Sequence, residues 1–343
     1  MSRQIFSPKS AVWALDFGPH AVLALAARQN PSGDWDILGE GRARPQGITS
    51  GEITRLSDAA EAVTEAIRSA EDRSGVLCRK LYFNFDDPQM QSKHPCGSKT
   101  LSGDGQISRE DVRDASRSAS RLIGDFESTP VYTRESGYLI DGKDLVADPL
   151  GVFGHQLDVT LHVVLARAKR VEQWKNIMQR AQIPQYSAVL SLDSVCQAVL
   201  ENAALPRMVW DLGDDFVSGG VSERGILREY ESFNPPSARE TAERVTSVSR
   251  QWATRYGLEL SAVVTGDSAG KNSMIEKFKE TGLTVNVASP KGPGNFTEPA
   301  HAAIAGLLKA ACQRERGKAS VKSGGIWAGR VRDKASAFIQ EYF

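Results

Sequence analysis

The run Tyr138-Leu139-Ile140-Asp141-Gly142, then Asp148-Pro149-Leu150-Gly151, then Gly154-His155-Gln156-Leu157 leading into Val159-Thr160-Leu161-His162-Val163-Val164, decides how this chain is read. Asp141-Gly142 is the dipeptide of a tight hairpin turn, since both residues tolerate positive φ. Pro149 and Gly151 break regular structure, and residues 157–164 read as a strand. Upstream, Ser108 with Asp111 three residues on can cap a helix over residues 108–123, with Val112, Ala115, Ala119, Leu122 and Ile123 along one face. Together they describe a small α/β unit.

Working outward, residues 11–18 and 21–27 are predicted strands around the turn Asp16-Phe17-Gly18-Pro19-His20, and residues 35–39 continue as a third. Gly47-Ile48-Thr49-Ser50-Gly51-Glu52-Ile53 precedes a helix capped by Ser57, with Ala62, Val63, Ala66, Ile67 and Ala70 inward. Residues 79–85 form the next strand, and Asp86-Asp87 before Pro88 reads as a solvated turn. Beyond the central unit, residues 169–181 are a helix with Val171, Trp174, Ile177 and Met178 inward, and another helix starts at Ser191. The strand ending Asp211-Leu212-Gly213-Asp214-Asp215 opens a second series, continued by a hairpin over 217–221 and 226–230. Ser237 and Glu240 read as a capping box for a helix burying Ala242, Val245, Val248, Trp252 and Tyr256. A strand over 260–265 runs into Gly266-Asp267-Ser268-Ala269-Gly270; a helix face (Met274, Ile275, Phe278), a strand over 283–287 and a closing helix over 301–308 follow.

Composition bounds the function. The 343 residues suffice for roughly two domains. With 42 basic and 42 acidic residues, the chain lacks the overall basic footprint of a nucleic-acid binder. Cys78, Cys96, Cys196 and Cys312 have no paired close spacing and read as free thiols, and neither His94 nor Cys96 has partners at zinc spacing, so no metal site is expected. No Walker-type loop or Gly-x-Ser-x-Gly elbow appears. No apolar run approaches the roughly 18 residues of a spanning helix, and residues 1–10 are polar, which leads to the expectation of a cytoplasmic protein with peripheral membrane contact at most.

In order and motif, the chain resembles the bacterial cell-division protein FtsA, of the actin-like ATPase superfamily. The Asp-x-Gly hairpin at Asp16 resembles the superfamily's phosphate-facing opening, residues 47–53 its Gly-Ile-x-x-Gly-x-Ile segment, and the run from Tyr138 to Val164 the signature of its inserted subdomain. The resemblance implies an α/β actin-like (RNase H-like) fold with an FtsA-type insert, a reduced second half and a C-terminal amphipathic helix. It divides the chain into residues 1–85 (first-half core), 86–166 (insert), 167–205 (return and connecting helix), 206–312 (second half), 313–325 (flexible linker) and 326–343 (tail). It carries over Asp16, Gly18, Asp211, Gly213 and Gly266 as degenerate nucleotide positions.

The departures are physical. Glycines at the second turn would let backbone N–H groups approach a phosphate; here Asp214 and Asp215 put two negative charges there, and the family's second Asp falls on Ser218. At the first turn the family's Thr/Ser and Lys fall on Pro19, His20 and Ala21, which removes an N–H donor and a cation. The family's upper second-half subdomain has no counterpart after residues 229–233. The expectation is therefore no catalytic residue and no ordinary ATP binding. The alternatives are an ATPase that binds Mg·ATP and polymerises with it, and an adaptor of the PilM kind.

In the tail, Trp327, Val331, Phe338, Ile339, Tyr342 and Phe343 supply apolar surface, while Arg330, Arg332 and Lys334 supply charge. This pattern suits a helix lying in a membrane interface. With the resemblance, the tail implies a peripheral adaptor on the cytoplasmic face of the inner membrane. Its implied partners are lipid, FtsZ or FtsA or another division protein, and further copies of itself, with no nucleic acid.

Overall fold

The computed structural model describes residues 11–30, 35–49, 51–103, 105–123, 126–200, 204–291 and 296–323. The first half is built on β1 (Val12–Phe17), β2 (Val22–Gln29) and β3 (Trp35–Ala43), an antiparallel meander. After a short ribbon of β4 (Ile48–Thr49) and β5 (Glu52–Ile53), helix α1 (Leu56–Ser74) returns the chain to β6 (Leu81–Phe85), parallel to β1. The buried face of α1 is the expected stripe of alanines with Val63 and Ile67. Its start differs from expectation. Gly47 O accepts the N–H groups of Thr54 at 2.8 Å and Arg55 at 3.1 Å, so the helix begins early with Arg55 as N-cap, and Ser57 lies inside the first turn with its hydroxyl donating to Asp58.

The insert follows. It comprises β7 (Gln91–Lys93), β8 (Cys96–Thr100), α2 (Arg109–Ser120), β9 (Ser128–Ile140), β10 (Asp144–Val146) and β11 (Gln156–Arg167). Strand β11 is its spine, paired with β9 on one edge and with β7 and β8 on the other. The cap of α2 is the predicted one: Ser108 Oγ accepts the Asp111 N–H, and the Asp111 carboxylate accepts the Ser108 N–H. The face departs at one position. The helix ends at Ser120, so Ile123 reaches the core while Leu122 is 69% exposed. The Asp141-Gly142 turn joins β9 to β10 with φ of 51° and 69°. Its Asp141 carboxylate accepts the backbone N–H groups of His155 at 2.7 Å and Gln156 at 2.8 Å, which seats the next strand.

Helix α3 (Ala168–Arg180) and β12 (Tyr186–Leu190) complete the first sheet in the order β12-β6-β1-β2-β3, and α4 (Ser191–Val199) leads away. The second half repeats the pattern with β13 (Arg207–Leu212), β14 (Val217–Glu223), β15 (Ile226–Phe233), α5 (Ala238–Tyr256), β16 (Ser261–Thr265), α6 (Asn272–Thr281) and β17 (Thr284–Val287). Its order, β17-β16-β13-β14-β15, matches the first sheet position for position. At the head of α5, Ser237 Oγ accepts the Glu240 N–H and donates to its carboxylate at 2.7 Å. Only residues 234–237 separate β15 from α5.

The halves exchange helices. Helix α7 (Ala302–Ser323) follows the second sheet but packs Ile304, Leu307, Leu308 and Ala311 against Val12, Ala14, Leu25 and Tyr82 of the first. Helix α4 brings Leu192 and Val195 into one cluster with Val209, Leu227 and Tyr230 of the second. The two helices cross at Gly306, where a Cβ would lie 1.7 Å from Ser194 O. Helix α7 also runs past the predicted closing helix to Ser323, so residues 313–323 are helical and not a flexible linker. The Glu315 carboxylate meets Lys80 and Tyr82 and so ties this turn of the helix to the first sheet. The tail residues Trp327, Arg330, Val331, Arg332, Lys334, Phe338, Ile339, Tyr342 and Phe343 lie outside the described residues.

Candidate functional site

Matching strand order places matching turns opposite one another across the cleft. In the β1–β2 turn, Gly18 N–H donates to Ala21 O at 3.0 Å. In the β13–β14 turn a Cβ on Gly213 would lie 2.6 Å from Phe216 O. A third turn follows β16. There Gly266 has φ of 96°, and a Cβ would lie 2.5 Å from Asp211 Oδ1 and 2.8 Å from the Leu212 backbone. Ser268 N–H donates to Leu212 O at 2.8 Å. Only glycine allows that contact, and it locks the third turn onto the second.

The floor of the cleft is acidic. Asp16, near the end of β1, accepts the Asn84 Nδ2–H at 3.0 Å. Burial raises its pKa, opposed by the Asn84 hydrogen bond and aided by repulsion from Asp267. Asp211 on β13 is pushed up to about 7 by burial first, then by Asp16 and Asp267. Asp86, just past β6, is pushed up to about 8 by burial first, then by Asp211 and Asp16. The structure thus unites Asp16 and Asp211 and adds Asp86, a residue expected in a solvated turn. Neighbouring Asp87 is fully buried and accepts Arg167 Nη2 at 2.6 Å, Nε at 3.0 Å and backbone N–H at 3.1 Å. Its partner lies 80 residues away, so nothing local in Asp-Asp-Pro announces the pairing. Among the described residues no group of three or more His, Cys, Asp or Glu side chains is arranged to hold a metal ion.

Asp214 departs from expectation. It is not an isolated negative charge at the second turn. Its Oδ1 accepts Ser268 Oγ–H and Lys271 Nζ–H, each at 2.6 Å, and its Oδ2 lies 3.3 Å from His20 Nε2. The Lys271 hydrogen bond, then that of Ser268, hold its carboxyl below the usual range. Three turns therefore converge on one carboxylate. Asp215 contributes its backbone O to Asn234, and Ser218 lies buried opposite Asp211 in the hairpin.

A second junction between the halves lies at the insert. Tyr132 on β9 accepts the Leu227 N–H of β15 at 2.9 Å. His162 on β11 donates from Nδ1 to Leu227 O at 2.7 Å, and its Nε2 accepts Ser92 Oγ–H at 2.8 Å. Burial pushes His162 down to about 3, which keeps the ring neutral and suits that pattern. His94 stacks on it with centroids 5.0 Å apart and donates to Arg228 O at 2.9 Å. These histidines look scattered in sequence because the β7–β11 pairing that unites them spans about seventy residues.

Comparison with known proteins agrees with this architecture. Residues 88–165 match the family described as "SHS2 domain inserted in FTSA". The chain is 23% identical to the cell division protein FtsA of Neisseria meningitidis over 216 residues, which is 62% of this chain and 52% of the relative. It is 24% identical to FtsA of Rhizobium meliloti over 303 residues, 84% of this chain and 66% of the relative. The chain therefore spans about half to two thirds of the length of these two curated relatives. Among solved structures, the PilM-PilN type IV pilus biogenesis complex is similar at a TM-score of 0.57 and 12% identity, covering 88% of this chain and 98% of that one, a likeness of fold. The chain is an FtsA-like protein: an actin-like ATPase fold carrying the FtsA-type SHS2 insert.

Proposed function

We propose that this chain is a peripheral membrane adaptor in bacterial cell division, which holds FtsZ, FtsA or a related division protein at the inner membrane without ordinary ATP binding or hydrolysis. The observation that carries the division role is the FtsA-type insert seated in a fold whose FtsA relatives align over as much as 84% of this chain. The pilus likeness at 12% identity is one of fold and supports no separate reading.

Two features support the remainder. His20, Ser268 and Lys271 are directed at Asp214, so these donors already meet a carboxylate and do not form a set turned toward a nucleotide phosphate. Only residues 234–237 stand where the resemblance expects an upper wall, and an open half-cleft does not grip a base from both sides. For the membrane, no helix among the described residues is long and apolar enough to cross a bilayer, and the tail offers aromatic and basic residues suited to an anionic surface.

The full chain is expected to sediment with anionic liposomes, and the double variant Trp327→Glu, Phe338→Glu to remain in solution. Sedimentation of the variant would refute the tail as anchor. High salt should weaken binding, because each basic residue at the surface contributes about 1 kcal/mol through a screened field. Titration calorimetry with Mg·ATP tests the cleft, and micromolar affinity would overturn the non-nucleotide reading. Capture of FtsZ or FtsA from the same cell by the full chain tests the division role.

A further inference from the structure

We infer that Asp214 is this chain's resident anion: its carboxylate fills the oxyanion position between the facing turns and ties them together in place of a bound phosphate. The inference deepens the non-nucleotide reading above and rests on it.

The geometry carries it. Asp214 sits on the β13–β14 turn, within reach of the β1–β2 turn of the first half and of the turn after β16. The donors it gathers come from the other two turns, with Ser268 Oγ and Lys271 Nζ at 2.6 Å and His20 Nε2 at 3.3 Å. His20 belongs to the first half and Lys271 to the second, so the carboxylate spans the cleft mouth as a bridging anion does. Charge-assisted hydrogen bonds to one oxyanion are stronger than neutral ones, and this oxyanion is tethered, so it loses no translational freedom on binding. Asp214 is 31% and Lys271 50% exposed, so a small solute can reach the position once the carboxylate is gone.

The chemical class of ligand follows. With Asp214 removed, an ammonium, a hydroxyl and an imidazole face the same point from two halves, and they outnumber the one neighbouring carboxylate, Asp267. That set suits a tetrahedral oxyanion such as inorganic phosphate. Restored phosphate would re-form the tie between the turns, so binding and stability should move together.

The test uses the full chain and two variants, Asp214→Gly and Asp214→Asn, titrated with inorganic phosphate by calorimetry. Each variant is expected to bind phosphate at least about tenfold more tightly than the natural chain, a difference of about 1.4 kcal/mol. Adding Lys271→Ala to either variant should erase the gain. No gain in either variant, or a gain that survives Lys271→Ala, overturns the inference. If a variant is too unstable to titrate, its thermal midpoint with and without phosphate gives the same reading: a rise absent from the natural chain supports the inference, and no rise overturns it. Mg·ATP binding by the natural chain bears on the preceding reading alone.

Discussion

Two aspartates at hairpin turns behave in opposite ways. Asp141, at the β9–β10 turn of the insert, spends its carboxylate on the backbone N–H groups of His155 and Gln156 within its own subdomain. Asp214, at the β13–β14 turn of the second half, spends its own on side chains from two other turns, one of them in the first half. The first closes a local structure and the second joins distant ones. Around Asp141 the FtsA-type pattern is retained. Around Asp214 the residues depart from the pattern that the resemblance expects. The two regions stand on separate sheets, so each turn answers to its own surroundings.

The contrast can be broken where the two regions meet. Arg167, at the end of β11, leaves the insert and pairs with Asp87, which has no exposed surface. Arg167→Ala would take the guanidinium from that buried carboxylate and leave it the backbone N–H groups of Gln89 and residue 167. The expected loss is about 3 kcal/mol, the low end for a broken buried pair because the arginine is itself partly exposed. Urea denaturation should show a lower midpoint with an unchanged slope, and a loss under about 1 kcal/mol would mean that water reaches Asp87.

A smaller effect separates the cleft from the insert by pH. Asp86 and Asp211 have folded-state pKa values raised above the ordinary carboxylate value of 3.8, to about 8 and about 7. Between pH 4 and pH 8 the folded chain therefore holds protons that the unfolded chain has released. Stability from these groups is full at the acid end and is lost as pH rises through 7 and 8. The groups repel one another and titrate as a set. Asp86→Asn and Asp211→Asn should each flatten the fall in thermal midpoint across this range, whereas Asp141→Asn should leave the slope unchanged. An unflattened slope in both cleft variants would remove the acidic floor as its cause.

The smallest expected effect sharpens the local side. Asp141→Ala removes the one oxygen, Oδ1, that accepts both backbone N–H groups at an exposed turn. Amide exchange should speed up at His155 and Gln156 and stay unchanged at residues of the cleft turns. Acceleration at Ser268 would show that the insert turn is coupled to the cleft after all.

Legibility in the sequence follows the range of each interaction. The alternating and helical apolar patterns marked the strands and helices of both halves, and capping at Ser108 was readable because donor and acceptor lie three residues apart. Helix α1 starts ahead of Ser57 because the Gly47 carbonyl accepts the N–H groups seven and eight residues on, a contact that no local cap signals. Asp86 and Asp87 read as solvated because their environment comes from Asp16, Asp211 and Arg167. The span from 313 to 323 read as a linker because its own residues lack an apolar stripe, while Glu315 finds Lys80 and Tyr82 about 235 residues back.

By itself, then, the sequence determined the order of elements, the insert and its Asp141 turn, and which residues stand at the turns of His20 and Asp214 in place of the glycines and lysine that the resemblance expects. Those features depend on local backbone preference and on which atoms a residue lacks. The tertiary structure alone decided what the replacements do. Only the duplicated sheet order brings the turns face to face, and only there does the charge on Asp214 change from a lone repulsive carboxylate to a shared one. A charge takes its energy from its neighbours and their solvent exposure, and folding supplies both.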